Sequence, residues 1–160
     1  MGRSGGLQEG GTLYRRGGQL PAAAGGGDHT QGGKELAEPP VWRGIAGYSL
    51  AGLFALYAIY RTDVFSRVGC MSGSLWFPGF KEYIFSHEPK RRPDCIYFSL
   101  GDKEAKTRNS VLKTVQENTE EIQAFYQSKG IDTVFQLNPG NHFVQGIERT
   151  IAGIQWLLRR

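Results

Sequence analysis

A serine at position 49 stands between two small residues, Gly47 and Ala51, in the stretch GIAGYSLAGLFALYA. Two carboxylates, Asp102 and Glu104, follow in the loop SLGDKE, and His142 comes near the end in NPGNHF. A hydroxyl is a weak nucleophile until a base takes its proton, and the imidazole that does so needs an acid to orient it. Serine, acid and histidine in that chain order suit nucleophilic attack on a carbonyl. His29 lies in a glycine-rich tract and His87 in a charged excursion, which leaves His142, in a loop shaped by proline and glycine, as the candidate base. Asp102 and Glu104 are both candidate acids. Asp102 is nearer the strand end and is placed to hold the loop or the histidine instead.

For Ser49 to react, its local backbone must present it. A strand that turns directly into a helix forces the corner residue into an unfavourable conformation and projects its side chain from the top of a sheet. Residues two positions away on each side then pass so close that only small ones fit, a demand that Gly47 and Ala51 meet. The same corner aims the Leu50 N–H at the space before the serine, as half of an oxyanion hole. A serine here could also do no more than cap a buried helix.

The surrounding elements fit such a corner. VWRGIAGYS reads as a short buried strand, and LAGLFALYAIYRT as a deeply buried helix with apolar residues at helical spacing. FSRVGCMSGS gives a second strand, and Trp76 to Pro93 a surface excursion holding one short helix. DCIYFSLGD is the clearest strand. A polar-faced helix is expected from about Thr107 to Lys129, stopped by Gly130. IDTVFQLNPGNHF is a strand breaking into a turn, and QGIERTIAGIQWLLR a closing amphipathic helix. Alternating strands and helices imply an α/β fold with a mostly parallel sheet and helices on both faces. Ligands bind beyond the carboxyl ends of such strands, which is where Ser49, the GDKE loop and PGNH fall.

Composition narrows the function classes. The chain has 160 residues and a formal net charge of +4, enough length for one domain with a real core. The positive excess is scattered, with one short cluster at Lys90, Arg91 and Arg92, and no basic stripe interleaves with aromatics, so nucleic acid is a poor partner. No apolar run is long enough for a bilayer and no signal-like start is present, so no membrane partner is expected and the cytoplasm is the expected compartment. Cys70 and Cys95 sit in apolar runs and read as buried thiols, not a disulfide framework or metal site. Residues 1–40 differ from the rest. They are rich in glycine and poor in β-branched and aromatic residues, which reads as a disordered leader ahead of the α/β unit at 41–160. Within it, GGGDHTQGGK lacks the ending of a phosphate-binding loop.

Taken together, GIAGYSLAGLFALYA, MSGSLWFPGF, SLGDKE and NPGNHF resemble the Putative esterase family of the α/β-hydrolase superfamily, the group with enterobactin-type trilactone esterases and esterase D-like enzymes. The resemblance runs from about Val41 to the C-terminus. It implies Ser49 as nucleophile, His142 as base, Glu104 or Asp102 as acid and Leu50 as oxyanion donor. It favours Glu104, because the acid in such enzymes often lies three residues after the glycine that ends the strand, here Gly101. It places Tyr48, Ser72, Trp76 and Phe77 along the substrate cleft. It implies ester hydrolysis of a small molecule through an acyl-enzyme, without metal or organic cofactor; the same machinery also serves acyl transfer to an alcohol. Trp76, Phe80, Tyr83, Lys90, Arg91 and Arg92 would suit an aryl or anionic ester. Family members carry several strands ahead of the elbow, including one beside it whose loop gives the second oxyanion donor. With nothing before Val41 reading as those strands, the expectation is the C-terminal half of the fold, weakened or inactive. Loss of one such donor costs about a hundred- to a thousandfold. The elbow strand is then expected to be a bare apolar edge, suited to self-association or, in a catalytically silent domain, to binding a partner chain.

Overall fold

In the computed structural model, the structure describes residues 39–160 and the strand formed by residues 11–15. Five strands form one sheet: β1 (Gly11–Arg15), β2 (Trp42–Tyr48), β3 (Arg67–Met71), β4 (Cys95–Gly101) and β5 (Asp132–Asn138). They lie side by side in chain order; β1 is antiparallel to β2, and the other neighbours are parallel. Among the described residues four α-helices connect or close them: α1 (Leu50–Arg61), α2 (Phe80–Ser86), α3 (Val115–Ser128) and α4 (Gly146–Leu158). The fold is α/β.

Both faces of the sheet are covered, and strand alternation decides which side chain goes where. On one face Ile45, Val68, Cys70, Ile96 and Phe98 pack with Ala55, Leu56 and Ile59 of α1, Ile84 of α2, and Ile122 and Tyr126 of α3. The alternate residues Ala46, Met71, Cys95 and Tyr97 face Leu157 of α4. Buried on both sides, β3 and β4 are shielded from water along their whole length, as parallel strands under helices are. Gly153 brings α4 close to the sheet: a Cβ there would stand 2.7 Å from Met71 Sδ and 2.9 Å from Tyr97 Cδ1. Cys70 and Cys95 are free and buried.

Two expectations need correction. The elbow strand β2 is not a bare edge, because GTLYR from the glycine-rich leader pairs along it, from Gly11 opposite Ala46 to Arg15 opposite Trp42. The composition of the whole leader hid this short β-prone stretch; the rest of residues 1–38 lies outside the described residues. The helix expected from Thr107 begins later, with a 3-10 turn at Leu112–Thr114 running into α3. Thr107 Oγ1 accepts from the Asn109 N–H, and Asn109 Oδ1 accepts from the N–H groups of Val111 and Leu112. These side-chain acceptors compete with helix hydrogen bonding and hold the segment as a turn.

Candidate active site

Ser49 occupies the corner between β2 and α1 with φ 59° and ψ −122°, a region that side-chain-bearing residues rarely visit and that costs about 1–3 kcal/mol. Neighbouring backbone holds the corner. The Ser49 N–H donates to Met71 O at 3.0 Å, and its carbonyl accepts from Gly52, Leu53 and Ser74. The small-residue rule has a direct cause here: a Cβ on Gly47 would collide with the backbone of Ala51 and stand 2.7 Å from its Cβ. The Ser49 hydroxyl makes no capping bond to α1. Its Oγ lies 3.0 Å from His142 Nε2 instead.

His142 Nδ1 lies 2.7 Å from Glu104 Oε2, completing a hydrogen-bonded line from Ser49 through His142 to Glu104. The Glu104 side chain is 4% exposed and that of His142 31%, so the carboxylate is sheltered while the imidazole meets solvent. Glu104 Oε1 accepts from the Gly101 N–H at 2.7 Å, Ser72 Oγ at 2.8 Å and Arg149 Nη1 at 2.8 Å. Burial pushes this carboxyl up, but hydrogen bonds from His142, the Gly101 N–H and Ser72 outweigh it, and its pKa falls below the ordinary value.

Asp102 is placed differently. Its Oδ1 accepts from the Gly140 N–H at 2.8 Å, and its own N–H donates to Asn138 O at 2.7 Å. It clamps the loop after β4 to the loop after β5 and does not bond the imidazole ring. Gly101 lies where these loops converge: a Cβ there would strike Gly140 O and approach Arg149 Nη2 at 2.9 Å and Glu104 Oε1 at 3.1 Å.

Two clefts meet at Ser49 and His142. The larger, about 530 Å³, is lined by Tyr48, Leu50, Ala51, Phe143 and Ile147 among others. The smaller, about 230 Å³, includes Ser72, Ser74, Trp76, Leu112 and Val115. Phe143 borders both and is 89% exposed. Leu50 opens α1, where the first N–H groups of a helix lack partners within it; it also lines the larger cleft beside the serine.

The expected cleft residues divide. Trp76 lines the smaller cleft and Tyr48 the larger, but the Tyr48 hydroxyl is committed to His142 O at 2.6 Å. Ser72 borders the smaller cleft yet is buried, its hydroxyl bonded to Glu104 and Arg149. Phe77 is exposed and lines neither cleft. Nor do Phe80, Tyr83, Lys90, Arg91 and Arg92, because the excursion folds back: Phe80 is buried in the core and Tyr83 stacks on His87. The residue that sequence reasoning missed is Arg149, buried beneath the site. A signal was present: Arg149, Gly153 and Leu157 repeat every four residues, so a charge sits on the buried stripe of α4.

The chain matches the family model described as Esterase: Putative esterase over residues 29–153. It is 28% identical over 128 residues to the uncharacterized protein YbbA of Bacillus subtilis (strain 168), covering 76% of this chain and 51% of YbbA. Its fold is similar to that of the siderophore hydrolase EstA from Aspergillus nidulans, with a TM-score of 0.52 at 17% identity, covering 72% of this chain and 47% of EstA. The chain thus spans about half the length of these two relatives. Among the described residues no helix is long and apolar enough to cross a membrane, and no cluster of His, Cys, Asp or Glu has a metal-binding arrangement.

Proposed function

Because the chain belongs to the Putative esterase family, we propose that it is a serine hydrolase of carboxylic esters working through an acyl-enzyme intermediate. The observation that carries this reading is the unbroken line of hydrogen bonds, 3.0 Å from Ser49 to His142 and 2.7 Å from His142 to Glu104. Ser49 Oγ attacks the ester carbonyl carbon while His142 Nε2 takes its proton. Glu104 accepts from the Nδ1–H, fixing the tautomer and stabilising the imidazolium. The carbonyl oxygen, now anionic, receives a hydrogen bond from the Leu50 N–H at the positive end of α1. Collapse expels the alcohol, which takes the proton from Nε2 and leaves the acyl group on Ser49. Water, deprotonated by the same nitrogen, then releases the carboxylic acid and restores the serine. The two clefts give the acyl and alcohol portions of a small ester separate room on either side of Phe143.

A fluorophosphonate probe tests this without knowledge of the natural ester. The folded chain should gain one phosphonyl group, mapped to Ser49, and Ser49→Ala should gain none. A folded wild-type chain that stays unlabelled, or equal labelling of the alanine variant, would overturn the reading.

A further inference from the structure

Arg149 is 2% exposed and stands in the first turn of α4. Both placements are unfavourable. A buried guanidinium loses its hydration, and a cation near a helix N-terminus opposes the helix dipole. The neighbouring residues on the same buried stripe, Gly153 and Leu157, carry no charge. What offsets the cost is a convergence of acceptors. Nη1 donates to Glu104 Oε1 at 2.8 Å, Ser72 Oγ at 2.9 Å and Tyr48 Oη at 3.2 Å, and Nη2 donates to Asn141 O at 2.9 Å.

All four acceptors lead to the same two groups. Ser72 donates its own proton to Glu104 Oε1, and Tyr48 donates to His142 O, so both lie between Arg149 and the acid–base pair. Asn141 precedes His142. The two carboxylate oxygens of Glu104 thereby serve different partners, with Oε1 held by Gly101, Ser72 and Arg149 while Oε2 faces His142.

We propose that Arg149 is a positioning residue for the Glu104–His142 pair, its guanidinium fixing the carboxylate by Oε1 and tying the histidine loop to it. This rests on the roles given above to Ser49, His142 and Glu104. Arg149 acts in two ways, by geometry and by charge. The charged or titratable groups facing the pair are Arg149 from α4, Tyr48 from the end of β2, and each member of the pair toward the other; Glu148 borders the larger cleft next to His142. Removing a nearby cation makes a proton bind more tightly to the coupled pair, whichever member carries it. The acid limb of reactivity must then move to higher pH.

The test is the pH dependence of fluorophosphonate labelling in the full chain, for wild type, Arg149→Met and Arg149→Lys. In Arg149→Met the acid limb should rise by about 1 pH unit or more. In Arg149→Lys the charge remains and the limb should stay, while loss of the planar two-armed contact lowers the rate roughly ten- to a hundredfold. A residue that only packed the core would lower the rate at every pH and leave the limb in place. An unmoved limb in Arg149→Met overturns the proposal, and so does a limb that moves as far in the lysine variant. Should Arg149→Met fail to fold, Arg149→Gln supplies the neutral arm, and the lysine limb is decisive alone if it moves. If wild type takes no label, the serine-hydrolase reading fails. NMR titration of the His142 ring still tests Arg149 independently, with the same upward movement expected in Arg149→Met and none in Arg149→Lys.

Discussion

Glu104 and Asp102 lie two positions apart in one loop, yet the structure gives them different work. Glu104 Oε2 meets the imidazole, and Asp102 Oδ1 meets the Gly140 N–H. Glu104→Gln should lower fluorophosphonate labelling by about 10⁴-fold, the scale seen when an orienting acid is made neutral. Asp102→Ala should cost about 1–3 kcal/mol of stability and less than about tenfold in labelling, because it removes a loop clamp. The depressed carboxyl pKa of Glu104 also has a signed consequence. Its folded value lies below its unfolded value, about 4.3, so its contribution to stability is present above that pH and is lost as pH falls through the folded value. Urea unfolding of wild type and Glu104→Gln should therefore differ most near neutrality and converge below about pH 4. A gap that widens on acidification would contradict the assignment.

At the scale of elements, the corner between β2 and α1 depends on close approach. Gly47→Ala puts a methyl into the Ala51 backbone and should cost about 1–3 kcal/mol as well as most of the labelling, since the corner must open. Ala51→Gly removes bulk instead. It should cost about 1 kcal/mol through helix propensity and leave labelling near wild type. Thermal melts beside labelling rates separate the two. This corner was legible in the sequence because its steric demand is local: a strand, a small residue, a serine, a small residue and an apolar helix. The β2–β5 run and the burial of α1 were legible for the same reason, since their periodicities lie within single segments. The late start of α3 was not, because Thr107 and Asn109 act through turns that helix periodicity ignores. Arg149 was hidden for another reason. Its partners Tyr48, Ser72, Glu104 and Asn141 come from four separate stretches of chain, and one sequence gives no measure of their convergence.

For the whole molecule, the relation of β1 to the sheet matters most. The glycine-rich composition of the leader suggested a bare β2, whereas Gly11–Arg15 lies along it. Substituting proline at both Thr12 and Leu13 removes ladder donors on adjacent residues and should free that side of β2. The expected result is concentration-dependent association in analytical ultracentrifugation, absent from wild type at equal concentration; a monomeric double variant would show that β1 does not protect the edge. The antiparallel register has a practical side. Gly11 pairs with Ala46, three residues short of Ser49, so β1 starts at the rim of the sheet that carries this serine. At the far rim Arg67 Nη1 donates to Leu157 O, near where α4 finishes. A dye or surface anchor placed at Arg160 would leave the mouth of the clefts clear, whereas one placed at Gly11 would crowd it.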